Sequence, residues 1–448
     1  MEFEVISEEY IKPSSPTPHH LKNHKLSFLD LYLPPVFVPL VLYFPLNQDT
    51  ELSTREIDHI VSERLQLLKQ SLSEALSLFY PLAGETEDFL SIDCNDEGVY
   101  HVEARVKCSL NEFLDHPDNV LVTEFLPEYT RWGIIREKYI TRVKVTTFAC
   151  GGIAVGAAIS HTIADGATFS SFLKSWAAIA RKNPEAAILP KFVASSLFPQ
   201  NDAYTREVCS SVMFATNVKF GKYVTRRFVF DPSAIAKLKA KAKSSTVQNP
   251  TRVEAVTALL SKCVMASLKP RSDSDKPILL FQPVNLRRKA NPPFSNQDIG
   301  NFIWVASTLC KFEEAELDSL VSKWREAIAK LNGDFMKSLQ GEHGLVNFLE
   351  AIKYERENYT TATDKINFSS WCNLGIYDID FGWGKPAWAT FCGVGASVYS
   401  CNVILLQDTK IGNGIEAWVY LREEEMAAVE LDKELLEFAV IDPSPLNL

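Results

Sequence analysis

The sequence lacks most of the features that would point to a nucleic-acid, metal, secreted or membrane protein. Positive charge is not in excess: 46 Lys+Arg face 56 Asp+Glu, a net charge of −10 over 448 residues. Nucleic-acid binders neutralise phosphates with cations, so that balance argues against one. No C-x-x-C pair occurs among nine cysteines scattered at 94, 108, 150, 209, 263, 310, 372, 392 and 401. An odd, dispersed set suits reduced thiols in the cytosol better than a disulfide framework or a zinc ribbon. No long apolar run is uninterrupted. Leu31 to Leu46 carries Pro34, Pro35, Pro39 and Pro45, is too short to span a bilayer, and cannot stay helical. The opening MEFEVISEEY is acidic, without the basic-then-apolar order of a signal peptide. Gly-x-Ser-x-Gly, P-loop and His-Glu-x-x-His patterns are all missing, and no third ligand accompanies any His/Asp pair, so no metal site is expected.

What is present is ordinary globular composition, 46% hydrophobic and 23% charged. At about 150 residues per domain the length predicts two or three domains with large cores. Leu65, Leu68, Leu72, Leu76 and Phe79 recur at helical spacing and stop at Pro81. Val143, Val145 and Thr147 alternate as in a strand, Cys150-Gly151-Gly152 forms a turn, and Ile153 to Ile159 continues as a small-residue strand apolar on both faces. A helix with the stripe Phe169, Phe172, Leu173, Trp176 and Ala180 follows. Residues 190–220 lack sustained periodicity and read as a long connection. Beyond it come a strand at 224–230, a Lys-rich helix at 233–243, a helix from Thr251 and a strand at 278–285. A hairpin over 402–407 and 415–420 then leads to a Glu/Leu-rich helix. Hairpin-then-helix thus appears late in both halves, a pattern open to either duplication or coincidence.

His161-Thr162-Ile163-Ala164-Asp165-Gly166 lies where the buried strand hands over to a helix, a position open to ligands on a rigid base. A neutral imidazole there can take a proton from a hydroxyl or amine near pH 7. Asp165 could orient the imidazole or pair elsewhere, and the spacing alone leaves a purely structural His161 open. The other seven histidines, 19, 20, 24, 59, 101, 116 and 343, read as surface residues. A second unusual segment is Ser369-Ser370-Trp371, followed by Asp380-Phe381-Gly382-Trp383-Gly384. Glycines interleaved with aromatics permit tight turns between planar anchors, which by itself implies packing rather than catalysis.

Taken together, these two segments resemble the signatures H-x-x-x-D-G and D-F-G-W-G of the plant BAHD acyltransferases, both intact and in order. The resemblance spans nearly the whole chain, through Pro13 to Pro18, Phe79 to Gly84 and Asn285-Leu286-Arg287. Within the family it is greatest for the group of vinorine synthase and salutaridinol acetyltransferase. It implies an α/β (α+β) fold of two chloramphenicol-acetyltransferase-like domains, each a mixed sheet with helices, and a channel between them. The expected division is an N-terminal domain at 1–190, a crossover linker at 191–220 and a C-terminal domain at 221–448.

The resemblance also implies a function. An acyl group passes from an acyl-CoA co-substrate, with acetyl-CoA preferred, to a hydroxyl of a specialised metabolite such as an alkaloid, terpenoid or sugar ester. His161 matches the family's catalytic base, and no acyl-enzyme is required. Trp371 matches a tryptophan whose indole N–H faces the oxyanion. Ser369 stands where many relatives have threonine, which leaves its direct role open. The matching aspartate, Asp165, is implied to point away from the site and pair with Arg287. Gly166, Asp380, Gly382, Trp383 and Gly384 are implied to be structural. CoA phosphates are expected near Thr251, Lys241 and Lys243, where Lys237 to Lys243 form a basic patch on an acidic protein. A solvated helix face is the other reading of that patch. A cytosolic monomer without resident cofactor, metal, membrane or nucleic-acid partner is expected. An N-acyltransferase of the same fold and a catalytically silent binding relative are the alternatives.

Overall fold

The computed structural model describes residues 1–33, 35–46, 52–86, 88, 90–127, 138–201, 222–269, 276–362, 364–391 and 402–447. In its first part the strands are β1 (Phe3–Ile11), β2 (Asn23–Lys25), β3 (Phe37–Phe44), β4 (Ser91–Asp93), β5 (Val99–Val106), β6 (Thr141–Phe148) and β7 (Ile153–Ser160). The second part contributes β8 (Tyr223–Phe230), β9 (Ile278–Asn285), β10 (Ile303–Cys310), β11 (Lys365–Ser370), β12 (Trp388–Thr390), β13 (Asn402–Asp408), β14 (Ile415–Arg422) and β15 (Val440–Ile441).

Among the described residues these form two large mixed sheets, β1-β5-β6-β7-β3-β12 and β10-β9-β11-β13-β14-β8-β15, with β2 and β4 as a separate pair. One local order occurs in both. In the first sheet β5 runs parallel to β6, β6 and β7 form an antiparallel hairpin, and β7 pairs with β3. In the second, β11 runs parallel to β13, β13 and β14 form the hairpin, and β14 pairs with β8. A helix follows each hairpin: Gly166–Ala180 after β7 and Glu423–Glu430 after β14. Every residue of β7 is buried, as its two apolar faces require in a sheet interior.

Helix Thr54–Leu78 opens on a reciprocal cap between Ser53 and Glu56 and buries Leu68, Leu72, Ala75 and Leu76. It ends at Phe79, because Pro81 cannot continue it. Helix Gly166–Ala180 packs against it, and Trp176 donates its indole N–H to the Leu68 carbonyl (3.1 Å) and Ser71 Oγ (3.0 Å). That core also takes in Phe281, Trp304 and Trp371 from the second part, so the two sheets share apolar packing.

β12 crosses between the parts. It belongs to the second by sequence, yet Trp388, Ala389 and Thr390 pair with Tyr43, Leu42 and Val41 of β3. Trp388 stacks on Tyr43 and on Trp418 of β14, and donates its indole N–H to the buried Glu416 carboxylate (3.3 Å). The buried Arg227 guanidinium lies 4.9 Å from the Trp388 ring centroid and within 3.5 Å of Glu416. The expected linker is described as far as Asn201. It holds a short helix, Ala194–Leu197, and Lys191 N–H donates to the Gln297 carbonyl (2.7 Å); 202–221 lie outside the described residues.

Two histidines read as surface residues sit inside. His101 is fully buried on β5, and burial pushes its pKa down to about 4; His24 is half-buried and shifted likewise. On β5 His101 shares a face with Glu103 and Arg105, opposite Val102, Ala104 and Val106, so local alternation reads it as outward and only tertiary packing buries it. Cys94, Cys108, Cys150, Cys263, Cys310 and Cys372 are free thiols, while Cys209, Cys392 and Cys401 lie outside the described residues.

Candidate active site

The end of β7 turns sharply, and its backbone is held from both sides. His161 N–H donates to the Val36 carbonyl (2.7 Å), and the Asn301 side-chain amide donates to the His161 carbonyl (2.9 Å). Asn301 is in turn held by buried Asp30, whose Oδ1 accepts from both its backbone N–H (3.0 Å) and its side-chain amide (2.8 Å). The imidazole is half-buried and lines an open cavity of about 110 Å³. Burial pushes its pKa below the ordinary 6.5, with the Asp165 charge opposing in part. It is therefore neutral at neutral pH, the state that accepts a proton.

Asp165 serves another purpose. It caps helix Gly166–Ala180, Oδ1 accepting from Thr168 N–H (2.9 Å). Oδ2 accepts from Arg287 Nη1 (2.6 Å) and Phe302 N–H (3.0 Å). Arg287, buried over the Phe302 ring, also donates to Thr168 Oγ1 (3.1 Å) and to the carbonyls of Asp298 (2.9 Å) and Gly300 (3.1 Å). Burial alone would raise the carboxyl pKa, but Arg287 and the hydrogen bonds outweigh it and hold it below 3.8. The acid is thus spent on fastening the His161 loop to the 298–302 segment.

The far wall of the cavity comes from the second sheet. Parallel β9 and β11 end together there, bringing in Pro283, Asn285, Ser369, Ser370 and Trp371. The Trp371 backbone N–H donates to the Leu406 carbonyl (2.7 Å), which fixes the main chain at the end of β11. Gly166 lies beneath the Trp371 ring: a Cβ there would stand 3.4 Å from Trp371 and 3.1 Å from Leu374. Ser170 Oγ and Lys174 Nζ both donate to the Leu374 carbonyl (2.8 and 2.6 Å), so the helix grips the loop beyond Trp371.

The Asp380–Gly384 turn lies at the other end of that helix, roughly 20 Å along its axis. Asp380 Oδ1 accepts from Gly382 N–H (2.7 Å) and Gly384 N–H (3.0 Å), and both glycines adopt positive φ (110° and 108°). The Arg181 guanidinium donates to the Asp380 carbonyl. Phe381 is buried edge-on against Trp176 and Phe44, and the Arg64 guanidinium lies 5.0 Å from the Trp383 ring. The turn launches β12 into the first sheet and contributes nothing to the cavity lining described above.

Thr251, Lys241 and Lys243 do not line that cavity either. Thr251 caps helix Arg252–Leu268 through Glu254 N–H (3.1 Å). The adjacent Arg252 reaches Asp408 and Asn373 Oδ1 (2.8 Å), tying this helix end to the loop after Trp371. Lys241 is taken by Glu434 (2.9 Å) and Glu437 (3.6 Å), which raise its pKa, so its charge is already met by carboxylates. Lys243 is exposed. Sequence reasoning missed Asn301, Asp30 and Thr168. Of these, only the Ser27-x-x-Asp30 capping pattern was visible in the sequence, and its link to His161 runs through Asn301, 271 residues away.

A model of the Transferase family matches residues 1–436. A limonoid 7-O-acetyltransferase from Citrus sinensis is 54% identical over 100% of both chains. The chain belongs to the BAHD acyltransferase family. An epi-neemfruitin B 7-O-acetyltransferase from Melia azedarach, 52% identical over 100% of both, is another BAHD relative. The crystal structure of vinorine synthase aligns with a TM-score of 0.81 at 33% identity, covering 99% of this chain and 100% of that one. The fold is accordingly the two-domain, chloramphenicol-acetyltransferase-like mixed α/β architecture of this BAHD enzyme. Among the described residues no helix is long and apolar enough to cross a membrane, and no cluster of three His, Cys, Asp or Glu could hold a metal.

Proposed function

We propose that this BAHD acyltransferase moves an acetyl group from acetyl-CoA to a hydroxyl of a limonoid-type triterpenoid. One observation carries the reading: a half-buried neutral imidazole, His161, and an indole, Trp371, face one open cavity from opposite sheets. Two relatives above 50% identity whose names specify limonoid 7-O-acetyl transfer supply the acceptor class.

His161 takes the proton as the acceptor oxygen attacks the thioester carbonyl, giving a tetrahedral oxyanion. The Trp371 indole N–H stabilises that oxyanion, a contribution typically about 3 kcal/mol per donor. Ser369 offers a hydroxyl on the same wall. The C–S bond then breaks, and His161 returns the proton to the departing CoA thiolate. No covalent acyl-enzyme intervenes. Asp165, Arg287, Gly166 and the Asp380–Gly384 turn hold this geometry without touching the reacting atoms. The halves on either side of 191–220 act as the two walls of the channel, in a cytosolic monomer. For the donor phosphates, exposed Lys243 and the helix end at Thr251 are better placed than Lys241, whose charge is engaged.

The test is release of free thiol from purified protein given acetyl-CoA with a panel of limonoid alcohols, and amines for comparison. Acetylated alcohol is expected. Turnover with amines alone would make it an N-acyltransferase. No turnover with any pair would refute the proposal, and a stable acylated protein during turnover would refute the direct mechanism.

A further inference from the structure

The chain just beyond Trp371 bends through two left-handed residues, Asn373 (φ 64°) and Gly375 (φ 66°). Glycine adopts that conformation freely, whereas an asparagine there is strained unless its surroundings hold it. Asn373 is held at both its backbone and its side chain. Its N–H donates to Asp408 Oδ2 (2.8 Å), and its Oδ1 accepts from Arg252 Nη2 (2.8 Å). Arg252 also pairs with Asp408 Oδ1 and donates through Nη1 to the Gly414 carbonyl (3.0 Å). One guanidinium thus joins the loop, the end of β13 and the turn that follows it. The Arg252 and Asp408 side chains are only 17% and 24% exposed, so solvent and salt screen the pair little. The next residue, Leu374, is gripped from the first part of the chain, its carbonyl accepting from Ser170 and Lys174. No hydrogen bond holds the Trp371 indole itself among the described residues, so its placement follows the backbone on which it stands.

We infer that Arg252 and Asp408 are positioning residues for acyl transfer: by clamping Asn373 they set where the Trp371 indole N–H stands. This rests on the acyl-transfer reading above, in which that N–H meets the oxyanion. Neither residue lines the His161 cavity, so both act through Trp371 rather than on the reacting atoms. A donor misplaced by about 1 Å can cost on the order of 10²-fold in rate. The competing role for Arg252 is a direct contact to the donor phosphates, since it follows Thr251 at the helix end. The two roles separate in the kinetics. A donor contact changes KM for acetyl-CoA, whereas a displaced oxyanion donor changes kcat.

The experiment measures kcat and KM for acetyl-CoA, by thiol release with one acceptor alcohol, in Arg252→Gln, Arg252→Lys and Asp408→Asn. Each is made in the wild-type chain and in Trp371→Phe. In the wild-type chain Arg252→Gln and Asp408→Asn are expected to lower kcat about 10- to 100-fold, with KM for acetyl-CoA within about twofold. Arg252→Lys keeps the charge without the planar fork and should recover part of the loss. In Trp371→Phe the same substitutions should cost less than about threefold, because the N–H they place is gone. Asp408→Asn preserves the side-chain volume and carries the test if the Arg252 variants do not fold. Equal losses in both backgrounds, an unchanged kcat in every folded variant, or a raised KM for acetyl-CoA at constant kcat overturns the inference and leaves acyl transfer standing. Trp371→Phe as active as wild type removes the indole from the mechanism, and the inference with it. Wild type inactive with every acyl-CoA overturns the acyl-transfer reading itself, together with the inference built on it.

Discussion

The two sheets each contain a hairpin followed by a helix, but the junctions differ by a loop. In the second part β14 runs straight into its helix, Arg422 ending the strand and Glu423 opening the helix. In the first part residues 161–165 stand between Ser160, the end of β7, and Gly166. That short insertion supplies His161 at its start and Asp165 at its close. It is also the junction that faces the other sheet, so Arg287 and Asn301 can reach it. A repeated topology offers two equivalent strand ends, and only the one lengthened by a turn and covered by its neighbour carries a site.

The largest effect expected from breaking that difference is on rate. His161→Ala should lower kcat about 10²- to 10⁴-fold, the usual range for a general base, with the melting temperature unchanged. Steady-state thiol release beside a thermal melt checks both; full activity in the variant would remove the base from the mechanism. Asp165→Ala should act through stability instead. It leaves Arg287 buried without its carboxylate, a loss on the order of 3–5 kcal/mol. Denaturant titration should show it, and a loss under 1 kcal/mol would mean the pair is not a fastening.

The two residues of the loop also separate by pH. His161 is pushed below 6.5, so kcat/KM should stay flat near neutrality and fall tenfold per unit only below a midpoint under 6.5. Asp165 is held below 3.8, so its stabilisation is fully present above that value and is lost as pH falls through the folded-state pKa. The acid limb of the rate above pH 5 therefore reports the imidazole alone; a midpoint above 6.5 would contradict that assignment. The smallest effect belongs to the counterpart junction. Arg422→Ala should change stability by about 0.5 kcal/mol or less and leave kcat unaltered. A large loss there would make the junctions equivalent after all.

Local order was legible where the chain's own periodicity settles it. β7, its hairpin partner and the Gly166–Ala180 helix lie where alternation, the Gly151-Gly152 turn and the 3.6-residue stripe place them. β9 coincides with the apolar run at 278–285. The reading failed where a residue's type misrepresents its surroundings. His101 is polar yet buried. Lys241 belongs to a basic run, but Glu434 and Glu437 arrive from a helix nearly two hundred residues later. Partners at such separations leave no trace in local pattern.

By itself, the sequence determined the elements and the reactive group: an imidazole at a buried strand's end, a helix beyond it, and two signatures in order. Those follow from steric and hydrophobic preferences acting within a few residues. Only the tertiary structure decided that Asp165 holds Arg287 rather than His161, that Trp371 closes the same cavity, and that β12 crosses into the first sheet. Each is a contact between residues far apart in the chain. Burial, which sets both the direction of the His161 shift and the worth of the Asp165 pair, exists only once the two sheets have packed.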